Sequence, residues 1–437
     1  MKTLGSWGRY PYSPQQPIPC HWRQQVAEQG LAWRDCQAVG LPYGNGRSYG
    51  DSCLASSDQV LYMRPLARFI EADWQQGLVT VEAGMTLGEL LQCSIAKGWF
   101  LPVTPGTRLA TVGGAIANDV HGKNHHVQGT FGRHVDGIEL VRTDLGLVQC
   151  SPTAHAELFN ATLGGLGLTG VIVAATLRLR RIASSKIRLQ QIRFDNLREY
   201  FAISRELDIR HEYNVAWVDC LAPLSQIGRG VFLAGDHHDQ APCKPRPVTT
   251  VRIPITPPIP LFNQLTLRAL NSLYFRCKGT RPERLQDYDA FFYPLDRLLE
   301  WNRIYGPWGF QQYQCVIPHG DAEEAVGELL ATIRRHNEGS FLAVLKNCGD
   351  MPSPGLLSFP MPGVSLALDF PQRGERTRKL FLILDHIVRD AGGRLYPAKD
   401  AHMSGDDFRA AYPAWERLEN LRDPALLSQF WQRVTLQ

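Results

Sequence analysis

No stretch of this sequence approaches the roughly 20 uninterrupted apolar residues of a membrane-spanning helix. Met1 to Tyr10 carries Lys2 and Arg9 but no apolar core of a secretory signal, so the chain is expected in the cytoplasm. Lys and Arg form no long run. The formal net charge of +4 is spread along the chain, which disfavours nucleic acid as a partner. The ten cysteines contain no C-x-x-C pair and read as reduced, mostly buried thiols rather than a disulfide framework or a zinc site. His121, His125 and His126 cluster without carboxylate or cysteine partners at ligand spacing, so no metal is expected. No repeat and no low-complexity tail is present. Nor is there a G-x-G-x-x-G followed by a helix and a distant acid, which argues against a Rossmann NAD site.

What is present is the balance of a globular protein, with 44% hydrophobic and 20% charged residues. At 437 residues the chain exceeds what one core usually organises, so two domains are expected. From about Cys36 to Arg180 short strands alternate with glycine-rich turns. Gln59–Met63 and Leu78–Glu82 read as strands, and Thr86 with Glu89 reads as a capping box opening a helix that stops near Gly98. A hairpin over Gly137–Val148 turns at Asp144-Leu145-Gly146. From about Ser184 the segments lengthen. Strands are expected over Lys186–Phe194, Tyr213–Leu221, Gln311–Ile317, Ser340–Leu345 and Val364–Phe370. Helices are expected over Leu197–Leu207, Ala322–Asn337 and Arg376–Asp390. Seven prolines between Ala241 and Pro260 suggest a long connection or flap. The expected fold class is α+β, with domains at 1–183 and 184–392 and a segment 393–437 returning to the first.

The chemistry concentrates in glycine-rich loops. Gly44-Asn45-Gly46-Arg47-Ser48-Tyr49-Gly50-Asp51 can point successive N–H groups into one concavity and so hold anionic oxygens. Gly106 and Thr107 precede Thr111-Val112-Gly113-Gly114, whose small residues suit backbone packed on a flat ligand or a diphosphate. Two such loops about 60 residues apart suggest one dinucleotide held between them, and Gly164–Gly170 adds a third glycine cluster.

GRSYGDS, PGTRLATVGGAIANDVHGKNHH and LGGLGLTG together resemble the FAD domain of the vanillyl-alcohol-oxidase (PCMH) type. With Glu300-Trp301-Asn302-Arg303, Gln312-Tyr313-Gln314 and Arg394-Leu395-Tyr396-Pro397-Ala398-Lys399-Asp400, the chain resembles the decaprenylphosphoryl-β-D-ribose 2′-oxidase family over nearly its whole length. The resemblance implies an FAD-binding PCMH-type domain carrying an inserted antiparallel-sheet substrate domain. It implies an FAD gripped at its pyrophosphate by Gly44–Asp51 and Thr111–Gly114. The flavin would lie against Gly106, Asn118, Asp119, Val120, His121 and Tyr396, with Ile172 near the adenine. Relatives that attach FAD covalently use a His or Cys in the first loop. Here that loop holds Tyr43, Asn45 and Tyr49, with Cys53 just beyond it, and the flavin is read as non-covalent.

Oxidising a secondary alcohol requires a base for the O–H proton while a hydride leaves the same carbon. Lys399, Tyr396 and His121 are the implied catalytic residues, and either Lys399 or His121 could be the base. Lys123, Trp217, Arg303, Gln314 and Lys346 are the implied substrate residues, the cations among them suited to a sugar-lipid phosphate. Quinone or oxygen would take the electrons, and an NAD(P)H-dependent keto-reductase would be the partner enzyme. A peripheral membrane contact on the inner face also fits a lipid-linked substrate. The sequence departs from the family at Asn118 and Ala367, where one branch has cysteine, and at Phe291-Phe292-Tyr293. Other readings are an alditol or aldonolactone oxidase, and a flavin-retaining binding protein without turnover.

Overall fold

A computed structural model of the chain describes residues 4–240, 242–244, 249–260, 264–340 and 342–436. Most of the extended chain lies in three sheets. Gln16–Pro19, Gln59–Tyr62 and Leu41–Tyr43 form a small parallel sheet with Gln59–Tyr62 in the middle. A five-stranded antiparallel sheet runs Phe69–Asp73, Leu78–Glu82, Val171–Arg178, Val135–Arg142, Gly146–Cys150 in space. The largest sheet has eight antiparallel strands in the order Arg281–Asp287, Lys186–Phe194, Gly230–His237, Tyr213–Val218, Ala343–Cys348, Gly363–Pro371, Phe310–Pro318, Arg394–Leu395.

Period-two alternation gives this last sheet two different faces. Tyr313, Cys315 and Ile317, with Leu366, Leu368 and Phe370 on the neighbouring strand, are buried in one apolar cluster. The cluster is completed by helices Leu197–Leu207, Ala322–Arg335 and Glu375–Asp390. The stripe Val326, Leu329, Leu330, Ile333, at the three- and four-residue spacing of one helix face, is buried there. The intervening residues, among them Gln312, Gln314 and Ala367, face the other way.

Local chemistry sets the first part of the chain. The Thr86 hydroxyl accepts from the Glu89 amide at 3.2 Å and a Glu89 oxygen accepts from the Thr86 amide at 2.7 Å, so the capping box starts helix Leu87–Ile95. Gly98, at φ +81°, ends the turn that follows. The hairpin is longer than expected, Val135–Arg142 with Gly146–Cys150.

Two expectations are corrected. The strand anticipated at Ser340–Leu345 is Ala343–Cys348, because the Ser340 hydroxyl donates to the Leu342 carbonyl and accepts from the Asp369 amide. Phe341 lies outside the described residues. Tyr213–Leu221 stops at Val218. Helix Gln264–Cys277 and strands Gly230–His237 and Arg281–Asp287 were not foreseen. In the first of these strands Gly230 and Gly235 interrupt the apolar pattern, and the second reads R-P-E-R-L-Q-D with almost no apolar alternation. In the proline-rich stretch, residues 241 and 245–248 lie outside the description. Val251–Arg252 pairs in parallel with Leu298–Leu299.

After Arg394–Leu395 the chain leaves the large sheet. Helices Gly405–Ala411, Trp415–Leu421 and Gln429–Thr435 run beside the N-terminal strands. Leu426 bridges to Gly40, Ser428 bridges to Ala55, and Asp423 accepts from the Thr143 amide and hydroxyl. Among the described residues no helix is long and apolar enough to cross a membrane.

Candidate functional site

A cavity of about 700 Å³ lies between the glycine loops and the open face of the eight-stranded sheet. Its sheet wall follows the register. Arg284 and Gln286 from the edge strand come first, then Leu189 and Gln191, Leu233, Val215 and Trp217, Val344 and Lys346, Ala367, and Gln312 and Gln314. Gly44–Tyr49, Gly106, Thr107, Thr111, Gly113 and Gly114 line the opposite side.

The loops meet because their glycines have no side chain. A Cβ on Gly44 would stand 2.4 Å from the Thr111 hydroxyl, and one on Gly50 would stand 1.7 Å from the Asp400 carbonyl. Gly46 adopts φ +58°. Thr111 caps the helix Val112–Ala117, accepting from the Gly114 amide at 3.1 Å. Arg47 lies 4.2 Å above the Trp7 ring, its buried Nε without a partner, and burial lowers its pKa. The Asn118 amide donates to the Gly114 carbonyl at 2.8 Å, leaving its buried Oδ1 unpartnered. Orphaned donors and acceptors facing a glycine-walled space fit the FAD that the resemblance implies.

At the other end His121, Gln314, Tyr396, Lys346 and Lys399 line the same cavity. His121 Nε2 is 3.3 Å from Gln314 Nε2, and its ring contacts those of Phe359 and Tyr396. Burial, then the charges of Lys346, His125 and Lys399, hold the imidazole well below its usual pKa, so it is neutral. Tyr396 stacks on Phe359 with centroids 4.5 Å apart, and its hydroxyl donates to the Asn118 carbonyl at 2.9 Å. That hydroxyl is committed to the backbone, and burial raises its pKa.

Lys399 Nζ lies 3.7 Å above the Tyr49 ring centroid. Burial brings the amine down to about 7, with Asp369 raising it and Lys346 lowering it. Behind it, buried Asp369 accepts from Gln312 Nε2 at 2.6 Å through one oxygen, while the other has no partner. Burial drives that carboxyl up to about 7 against the hydrogen bond from Gln312 and the charge of Lys399. Near neutrality amine and carboxyl are therefore both poised to change charge. Lys123, lowered to about 7 by burial and then by Lys346, donates to the Phe291 carbonyl and lies 4.2 Å from that ring.

Several expected site residues are elsewhere. Arg303 is not at the cavity: its guanidinium pairs with Glu300 and donates to the Ile253 and Pro254 carbonyls at 3.0 and 2.5 Å. Asp51 turns inward to Arg433, at 2.9 Å. Asp119 is fully buried and accepts from the Gly132 amide and the Ser353 and Ser358 hydroxyls. Gly50 and Val112 back the cradle without lining it, Val112 donating to the Met85 carbonyl at 2.8 Å. Val120, Ile172 and Trp217 do line the cavity.

Sequence reasoning missed Asp369, Gln312, Phe359, Lys278 and Arg284. Asp369 and Gln312 had a signal: each lies two residues from a position already implicated, on the same strand face. Among the described residues no group of three or more His, Cys, Asp or Glu could hold a metal.

An FAD-binding-domain family model matches residues 24–151. The chain is 35% identical over 398 residues to the decaprenylphosphoryl-β-D-ribose oxidase of Mycolicibacterium smegmatis, covering 87% of this chain and 85% of that one. It is 34% identical over 355 residues to an uncharacterized protein in the mprA 5′ region of Streptomyces coelicolor, covering 77% and 95%. Likeness to mouse L-gulonolactone oxidase is 31% over 138 residues, covering 31% of this chain and 30% of the other.

Proposed function

The chain belongs to the FAD-dependent oxidase family of decaprenylphosphoryl-β-D-ribose oxidase, and from that premise we propose that it oxidises the 2′-hydroxyl of a polyprenyl-phosphoryl-β-D-ribose to a ketone. The observation that carries this reading is a single cavity joining the glycine-walled cradle to the lysine-bearing sheet face. Bound FAD supplies the acceptor for the hydride leaving the carbinol carbon. Gly44 to Tyr49 with Thr111, Gly113 and Gly114 would hold its pyrophosphate. Gly106, Asn118, Val120, His121 and Tyr396 would hold its ring, and Ile172 its adenine end. The Cys53 thiol, pushed up to about 12 by burial and the nearby Asp51, stays protonated and unreactive, which supports a non-covalent flavin.

Lys399 is the residue for the hydroxyl proton, because an amine titrating near 7 can accept it near neutrality. His121, neutral and beside Gln314, orients the alcohol. Lys123, Lys346, Trp217 and Gln314 form the substrate wall. Lys399→Met should retain FAD yet slow flavin reduction by about 100-fold or more, read in anaerobic single turnovers. Wild-type rates in that variant would remove Lys399 from the chemistry.

Quinone or oxygen would take up the electrons, and an NAD(P)H-dependent keto-reductase would complete the epimerisation. A division into an FAD unit 1–183, a substrate unit 184–392 and a returning segment 393–437 belongs to the same reading. So does association with the inner face of a membrane. The test is the visible spectrum before and after denaturation, with anaerobic farnesylphosphoryl-β-D-ribose. A flavin released by denaturation and bleached by that compound is expected. Bleaching only by alditols or lactones would move the chain to the free-sugar oxidases, and a flavin that no sugar bleaches would point to a binding protein.

A further inference from the structure

Eight of the twenty-one exposed large apolar side chains among the described residues fall within residues 251–298. On helix Gln264–Cys277, Leu267, Asn271 and Phe275 are buried, whereas Leu270, Leu273 and Tyr274 form a second apolar stripe facing water. An exposed apolar stripe on a helix costs solvation unless something covers it.

The charges around this patch are mainly positive: Arg276, Lys278, Arg281 and Arg284 outnumber the exposed Glu283, and Glu300 is taken up by Arg252 and Arg303. Lys278 is repelled by Arg284 and Arg281. Arg284 Nε is buried and without a partner. Nearby acids are spent, Asp287 on Lys186 at 2.5 Å and Asp289 on Arg108. The patch is also the rim of the cavity. Tyr274, Lys278 and Arg284 line it on this side, Arg252 and Leu298 line it as well, and Val251 and Leu298 are themselves exposed. Tyr274 reaches Trp217 on the sheet wall, with ring centroids 4.6 Å apart.

We propose that this face, built from helix Gln264–Cys277, strand Arg281–Asp287 and the pair Val251–Arg252 and Leu298–Leu299, docks on an anionic lipid bilayer, so that the cavity opens against the membrane. Apolar side chains enter the interface while the Arg and Lys heads meet anionic headgroups. The sheet wall between rim and lysines then carries the lipid tail: from Arg284 to Lys346 it crosses four strand intervals, about 19 Å, past Leu189, Leu233 and Trp217. The inference rests on the lipid-linked substrate proposed above.

The test is co-sedimentation of the full-length, FAD-loaded chain with phosphatidylcholine vesicles, with and without phosphatidylglycerol. Anaerobic bleaching by farnesylphosphoryl-β-D-ribose in free solution is run alongside. Binding to the anionic vesicles is expected, weakened by salt and absent with phosphatidylcholine alone. Arg276, exposed on the helix, and Arg281, exposed on the edge strand, are the charges to remove: Arg276→Gln with Arg281→Gln should lose about fivefold in affinity per charge removed. Leu270→Glu with Leu273→Glu should lose binding altogether, while the flavin spectrum and melting temperature of both variants match the parent. Protein that stays in the supernatant, variants that bind like the parent, or equal binding to neutral vesicles would overturn the proposal. So would self-association abolished by the Leu270 and Leu273 pair, which would make the face a contact between copies. A wild type that sediments but is not bleached would leave the docking face standing and remove the sugar-lipid reading.

Discussion

Asp369 is the side chain on which the behaviour of Lys399 turns. It raises the lysine's pKa while burial and Lys346 lower it, and the balance falls at about 7. If neutral Lys399 accepts the proton, flavin reduction should rise with pH through about 7 and level off above it. Asp369→Asn removes the group that favours the ammonium, so the rising limb should move to lower pH. Lys346→Gln removes a repelling charge and should move it to higher pH. Stopped-flow reduction over a pH series reads all three, and an unmoved limb in both variants would detach the lysine from the profile. Of the nearby groups, His121, Tyr49 and Tyr305 are shifted so far by burial that they should not titrate in this window, whereas Asp369 and Lys123, each brought to about 7, titrate alongside Lys399, and the two variants separate the lysine's share. The lysine itself was legible in the sequence because it sits in a recognisable motif. Its carboxylate had only the weaker signal of standing two residues from Ala367, since Leu366-Ala367-Leu368-Asp369 reads as a buried strand and only the partner strands say which alternate face meets the cavity.

Elements with strong local rules were read well. The capping box at Thr86 and the stripes on Leu197–Leu207 and Ala322–Arg335 are settled by residues three and four apart, and these helices form where expected. Gly230–His237 and Arg281–Asp287 escaped because their strand character comes from partners far along the chain, Lys186–Phe194 between them. Arg303 shows the same limit in a site residue, since its motif was right and its direction is set by Glu300 and two carbonyls 50 residues away. The C-terminal helix Gln429–Thr435, which also buries Phe430, Trp431 and Val434 in the core, reaches the first glycine loop through such a distant contact. Its Arg433 bonds both Asp51 and Asp400, at 2.9 and 2.8 Å. Burial pushes Asp51 up despite that arginine, whereas Asp400, which also faces His402, is held below its usual range. Arg433→Met should cost about 3 kcal/mol, as a broken buried ion pair does, and should weaken FAD retention. Denaturant unfolding and flavin fluorescence would show both, and a fully stable, fully yellow variant would refute the link.

For the whole molecule, the cavity proposed to hold the cofactor lies between the glycine loops and the wall of the eight-stranded sheet. The loops Gly44–Tyr49 and Gly106–Gly114 belong to the chain before residue 123 and the facing sheet wall to the chain from residue 186 on. A ligand bridging them stabilises the folded chain by about 2.7 kcal/mol when present at a hundred times its Kd. Removing FAD should therefore lower the melting temperature, and adding it back should restore it. An apoprotein melting at the holoprotein's temperature would mean that the ligand contacts only one side. Neither the facing arrangement nor the exposed apolar rim could be read from pattern, because both depend on which surfaces fold leaves uncovered.

The tie from Arg433 to Asp51 spans 382 residues. On a ribosome adding about 5–20 residues per second, the first glycine loop therefore waits roughly 20 to 80 s for the side chain that anchors it. During that interval the nascent chain carries the cradle's residues without its fastening. Flavin capture then falls after synthesis has passed residue 433, and yellow colour in a translation reaction would report chains that have got that far rather than loops that have merely emerged.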